Sequence, residues 1–402
     1  MRNRVVVTGI GPIAPIGVGI AAFSAALRAG SSKVGPARRV DASGIPHNSV
    51  SEFGDIDPAE YVRSIDRDSW GPSSVAAAAA ARLAVEDAGL NRNLLRRGRA
   101  GSVIGTTCGE ARLLEAAVRQ RAVGGYESIH GDLIRKVPTY RLGVAVNREL
   151  GINGEAITLT SACAASNFAV GYAYDVVGSG DSEMMIAGGV DLATLYTMAG
   201  FYRVGTLSKN YCAPFDRDRQ GIILGEGACA LVLESLDSAL ERGARIHAEV
   251  LGYGVNCDAK SPISPDPGGI AECMRRAHRN AGVKAEEIDY ICAHGTGTPA
   301  NDVAEIAALR MVFGDTMPSV SAIKSMLGHT LGAASGFGVI ASCLAVRDGF
   351  LPPTINLAAV DPAFADLDLV ANESRDADVR IAQNNGFAFG GNNAITIIGR
   401  YE

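Results

Sequence analysis

The sequence predicts an α/β fold of two similar halves, and three recurrences along the chain predict it. A strand-like run over residues 4–11 ends in glycines, and residues 248–255 repeat that shape. Each run leads to a helix-like stretch that closes on an Ala-Gly pair, Ala88-Gly89 in the first half and Ala281-Gly282 in the second. Each half then offers a strand ending in a turn of small residues, at 102–107 and 291–296. The halves are placed at 1–245 and 246–402, joined near residues 240–250.

The remaining elements follow in chain order. Residues 112–149 are rich in charge and helix formers, and with 196–220 they make the first half the longer one. Insertions of this kind commonly cover active sites or build oligomer contacts. Ala156–Leu159 reads as a short buried strand, and 167–177 as the apolar helix after it. Residues 261–269, with three prolines and two glycines, read as a loop. Residues 394–398 read as a final strand.

Composition narrows the function. A chain of 402 residues, 47% hydrophobic and 20% charged, is long enough to bury a large core. Its net charge of -6 argues against nucleic acid or an anionic membrane as a general partner. Eight cysteines are scattered with no CxxC spacing, and the N-terminus runs straight into a strand without a signal-peptide core. No run reaches the roughly eighteen uninterrupted apolar residues of a membrane span. The expectation is a reduced, cytoplasmic protein without a membrane segment.

Three residues stand out chemically. Cys163 lies between strand 156–159 and the apolar helix, at a helix N-terminus where unpaired N–H groups favour a thiolate. His294 follows an apolar strand in the loop His294-Gly295-Thr296-Gly297-Thr298, and His329 lies in Gly328-His329-Thr330, again between strand and helix. Cys163 and His329 therefore take comparable places in the two halves, each before a helix of small residues. A thiolate can hold an acyl group as a thioester, and two neutral imidazoles can donate to an enolate oxygen. A buried structural thiol and hydrogen-bonded structural histidines are the plain alternatives. A zinc site is disfavoured by the 35-residue spacing of the histidines and the unpaired cysteines. A Cys-His protease leaves the second histidine without a role. Near the C-terminus, residues 384–393 frame Phe387 and Phe389 with glycines that can turn N–H groups inward. A tight turn before the last strand accounts for the same glycines.

The ordered set of a cysteine in a small-residue turn, His-Gly-Thr-x-Thr-Pro, Lys-Ser-x-x-Gly-His and Phe-x-Phe-Gly-Gly resembles the elongating β-ketoacyl-acyl-carrier-protein synthases of the thiolase-like superfamily. All four motifs occur here in order, and the likeness runs over nearly the whole chain. It implies a thiolase-like fold, two similar halves with mixed sheets in an α-β-α-β-α arrangement. Cys163 would accept the acyl chain, with the N–H groups of Cys163 and Phe389 as oxyanion hole. His294 and His329 would support decarboxylation of a malonyl unit, and Lys324 would tune the site. Thr296 and Thr298 would meet the phosphopantetheine arm of the carrier protein. Phe387 and Phe389 would line or gate the acyl pocket, with Cys108, Phe201 and Tyr202 in its wall.

No metal or separate cofactor is implied, because the substrates travel on acyl-carrier protein. Arg63, Arg67 and Arg203 could receive that acidic partner. The resemblance also implies a homodimer, or a heterodimer with a chain-length-factor subunit. Thiolases use a second cysteine near the C-terminus and chain-initiating synthases a Cys-His-Asn set, and neither pattern is present. A non-catalytic partner subunit would lack the nucleophile. Three positions depart from the family pattern: Gly338 where a glutamate is usual, Ala388 where a glycine is usual, and Cys292 where an asparagine is usual. They lean the reading towards type II polyketide or polyene synthesis over housekeeping fatty acid synthesis.

Overall fold

The computed structural model describes residues 2–402. In the first half, strands β1 (Val5–Ala14), β2 (Gly101–Gly105), β3 (Ala156–Leu159), β4 (Met184–Asp191) and β5 (Gly227–Ser235) lie in the order β1-β5-β4-β2-β3. In the second, β6 (Ala248–Cys257), β7 (Tyr290–Cys292), β8 (Ser319–Ser321), β9 (Ile381–Phe387) and β10 (Asn392–Gly399) lie in the order β6-β10-β9-β7-β8. Each half makes two antiparallel pairings and then two parallel ones. The repeat read in the sequence is therefore a repeat of topology. Strands β1 and β6 pair antiparallel, Val5 opposite Val250, and make one continuous sheet of the two.

Helices divide into three layers. Helices α1 (Pro72–Asp87) and α3 (Arg141–Leu150) cover the outer face of the first sheet, with α2 (Ala111–Gly124) between them in the chain. Helix α4 (Ala165–Ser179) packs on strands of both sheets. Helix α5 (Leu195–Arg203) precedes the second half, where α6 (Pro267–Ala281) and α7 (Pro299–Phe313) cover the outer face. Helix α8 (Ala334–Asp348) joins α4 in the middle, completing the expected five-layer arrangement. The paired glycines of the repeat have a steric cause. A Cβ at Gly9 or Gly11 would sit 2.1 Å from a carbonyl oxygen of α1, and one at Gly252 or Gly254 would strike α6 within 2.6 Å.

The two central helices begin alike. A short turn at Ala162–Ala164 precedes α4, and one at Leu331–Ala333 precedes α8. Each opens on a non-glycine residue in the left-handed region, Ala162 at φ 47° and Leu331 at φ 52°. By this correspondence the counterpart of Cys163 is Gly332. His329 lies three residues earlier, so its likeness to Cys163 in the sequence is one of neighbourhood and not of position. Helix α8 with its preceding turn, Leu331–Asp348, is long and apolar enough to cross a membrane, but 89% of it is buried inside the protein. It is a core helix, and its apolarity reflects packing on both faces.

Candidate active site

Cys163, His294 and His329 line one cavity of about 260 Å³ with Thr296, Thr298, Phe387 and Phe389. The cysteine comes from the turn before α4, His294 from the end of β7, and His329 from the loop before α8. The imidazole rings lie 5.6 Å apart, nearly perpendicular. The Leu331 N–H donates to His329 Nδ1 at 3.1 Å, so the proton sits on Nε2. Lys324 Nζ approaches His294 Nδ1 at 3.3 Å and donates to the His294 carbonyl, which leaves the other ring nitrogen of His294 as a donor too. Burial, with the Lys324 charge adding to it, holds both imidazoles well below the usual histidine range. Both rings are neutral N–H donors at physiological pH.

Burial also pushes the Cys163 thiol up to about 12; Lys324 pulls it down and Asp191 pushes it further up. The helix N-terminus was expected to favour the thiolate, and desolvation outweighs it. Lys324 is itself buried and held below the usual ammonium range for that reason. It does not line the cavity but sits behind His294. The Phe389 loop has Gly390 and Gly391 at φ 84° and 80°, the left-handed conformations its glycines supply. Ala388 is extended at φ -137°, so the usual glycine is not required there and the alanine adds no strain.

Of the three residues expected in the pocket wall, one lines this cavity. Phe201 lines the cavity and stands 5.6 Å from the Phe389 ring and 6.4 Å from His329. Tyr202 instead packs edge-on against His47 at 5.8 Å and does not line the cavity. Cys108 is not a lining residue; its N–H donates to Asp191 at 3.0 Å. Thr298 caps α7 through Asn301 N at 3.3 Å and holds the Thr296 hydroxyl at 2.9 Å. The loop 261–265, read only as a loop, lines the cavity mouth, and Gly390 N–H donates to the Pro262 carbonyl at 2.9 Å. Arg203 stands exposed two residues before the lining residue Gly205. Arg63 and Arg67 pair with Glu86 and Asp57 away from it.

Sequence reasoning missed the buried carboxylates. Glu305 accepts the N–H groups of His294 and Gly295, both at 2.8 Å, and Asn385 Nδ2 at 2.9 Å. Asp302 takes Phe215 N at 3.0 Å and Gly297 N at 3.2 Å, and burial raises it to about 6. The place opened by Gly338 is filled by Asn384: a Cβ at 338 would lie 2.0 Å from Asn384 Oδ1. The amide donates to Asn167 Oδ1 at 2.8 Å and the Ser335 carbonyl at 2.9 Å. Lys324 keeps a counter-charge in Glu305, whose field works against the burial that lowers the ammonium. Among the described residues no group of three or more His, Cys, Asp or Glu is arranged to hold a metal ion.

Residues 2–239 match the β-ketoacyl synthase N-terminal domain family, and 247–358 the β-ketoacyl synthase C-terminal domain family. The chain is 37% identical to 3-oxoacyl-[acyl-carrier-protein] synthase 2 of Coxiella burnetii, over 99% of each chain. Among solved structures, the ishigamide ketosynthase/chain length factor superposes with a TM-score of 0.98 at 48% identity, over 100% of each chain. A type II PKS ketosynthase solved with its acyl-carrier protein and bound to the hexaketide gives 0.91 at 26%, again over 100% of each chain.

Proposed function

We propose, from the premise that the chain belongs to the β-ketoacyl synthase family, a division of the condensation among its cavity residues. Cys163 Sγ attacks the thioester carbonyl of an acyl chain on acyl-carrier protein. The bond to the pantetheine sulfur breaks and that sulfur leaves as a thiol with the proton Cys163 gives up. The N–H groups of Cys163 and Phe389 hold the developing oxyanion. A malonyl unit then enters and loses carbon dioxide, and its enolate oxygen takes the N–H donors of His294 and His329. The enolate carbon attacks the acyl carbonyl on Cys163, the carbon–sulfur bond breaks, and the cysteine sulfur leaves as a thiolate that takes from solvent the one proton the net condensation consumes. Thr296 and Thr298 border the arm, and Phe201, Phe387 and Phe389 close the apolar side.

The observation that carries this assignment is the pair of neutral imidazoles beside a thiol in one cavity. General acid chemistry by a protonated histidine does not suit rings held so far below the usual range. The ishigamide ketosynthase/chain length factor, at 48% identity, supports type II polyketide synthesis over housekeeping fatty acid synthesis. Arg203, exposed near the cavity mouth, suits an acidic carrier protein. The second reading, a non-catalytic chain-length subunit, is disfavoured by the complete set Cys163, His294, His329 and Lys324.

A partner subunit has a surface to meet. Strand β3 is a sheet edge, with one hydrogen-bonded neighbour. Leu114, Val118, Tyr126, Ile134 and Tyr140 are exposed on the adjoining 111–144 segment. We place the homodimer or heterodimer contact here, in a cytoplasmic enzyme. Intact-protein mass spectrometry tests the nucleophile. Incubation with acyl-carrier protein loaded with chains of several lengths should add an acyl mass to the wild type and none to Cys163→Ala. An adduct that persists in the variant would refute Cys163 as the acyl carrier.

A further inference from the structure

The turn before α8 copies the turn before α4, but no nucleophile stands in it. Gly332 takes the place of Cys163, and its N–H, the counterpart of the Cys163 oxyanion donor, is already engaged. It donates to Asp191 Oδ2 at 2.7 Å. Asp191 closes β4, whose counterpart β9 leads into Phe389, the other oxyanion donor. In the mirror-related half, then, a fixed carboxylate occupies the place an oxyanion takes at the working site.

Asp191 is fully buried and holds three further donors. Thr106 Oγ1 reaches Oδ1 at 2.8 Å, Cys108 N reaches Oδ1 at 3.0 Å, and Thr107 N reaches Oδ2 at 2.6 Å. It therefore ties the loop after β2 to the turn 331–333. The neighbour of Gly332 in that turn is Leu331, whose N–H holds His329 Nδ1 and so aims the other ring nitrogen into the cavity. Resting on the condensing reading of the site, we propose that Asp191 is a positioning residue: it fills the mirror oxyanion place and, through the Leu331–Gly332 turn, fixes the His329 imidazole for decarboxylation.

The test separates the two half-reactions. In Asp191→Ala, malonyl decarboxylation should fall about 10²-fold, the scale of a small misplacement transmitted to the chemistry. Transfer of an acyl group to Cys163 should fall far less: the α4 turn meets the 331–333 turn through Ser166 Oγ, which donates to the Gly332 carbonyl, and loss of the Asp191 charge, which pushes the thiol up, favours the thiolate. Nitrogen spectra of histidine-labelled protein should show the His329 ring altered and His294 unchanged, with no substrate present. Parallel loss of both half-reactions with a lowered melting temperature would mark a merely structural role. A folded variant with an unaltered His329 ring and normal decarboxylation would overturn the proposal outright.

Should Asp191→Ala not fold, Thr106→Val removes one of the four donors and keeps the charge. It should carry the same selective loss at smaller size, and equal loss in both steps, or none in either, would overturn the proposal. A wild type that neither takes up acyl groups nor decarboxylates malonyl carrier would refute the condensing reading itself. The His329 ring spectrum would still decide the role of Asp191.

Discussion

Cys163 is held protonated at rest by its own burial, against a helix N-terminus and a lysine that both favour the anion. Its alkylation by iodoacetamide should therefore rise with pH through a midpoint well above the ~8.5 of a free thiol. In Lys324→Met the midpoint should move higher still, since the one cationic neighbour is gone; a lower midpoint would show that burial is not the governing force. The imidazoles have the opposite consequence. Because folding depresses their protonation, catalysis should show no loss centred on pH 6.5, the ordinary histidine value, and its acid limb should lie well below. Stability follows the same sign: the unfolded chain takes up protons below pH 6.5 that the folded chain refuses. Stability from these rings is complete above that pH and declines as pH falls. Denaturant melts at pH 7 and 5.5 should show a loss smaller in His329→Gln by about 1–2 kcal/mol; an equal loss would refute it. The sequence made Cys163, His294 and His329 legible because glycines and threonines frame them. It hid Asp191, Asp302 and Glu305, whose roles depend on which distant N–H groups reach them.

At the scale of elements, the Gly-x-Gly pairs and Ala-Gly helix ends were readable, since each half needs a helix pressed against its first strand. The 3-residue offset between His329 and the true counterpart of Cys163 was not, because it depends on where a left-handed residue starts the helix. Gly338 shows how a departure is absorbed: the asparagine at 384 occupies the space a larger residue would take. Gly338→Ala should then cost about 1–3 kcal/mol by overpacking. Adding Asn384→Ser should recover part of that loss, and a double-mutant cycle by thermal melts measures the coupling. Strictly additive effects would show that the two positions do not share one space.

For the molecule as a whole, the sheet runs unbroken from β8 at one edge to β3 at the other. The β3 side carries a run of exposed apolar side chains on the segment beside it, from Leu114 to Tyr140. Light scattering should give at least twice the 41.6 kDa chain mass, alone or with a co-expressed partner subunit. A lysine at Ile157, on the edge strand, should lower it to the single-chain mass; a mass unaffected by Ile157→Lys would place the contact elsewhere. Length and low charge announced a large packed core, but the layering came from α4 and α8, whose near-uniform apolarity signals burial without saying between what.

The mirror turn also bears on ancestry. If the two halves descend from one duplicated segment, they once had equal claims to a nucleophile. At Gly332 a Cβ would now lie 2.6 Å from the backbone of Thr106 and 2.7 Å from the Asp191 carboxylate. Any side chain returning there would have to displace both, so single substitutions cannot restore a second cysteine. The division into one working half and one supporting half is a ratchet, and descendants of this chain can vary their pockets far more easily than they can exchange those roles.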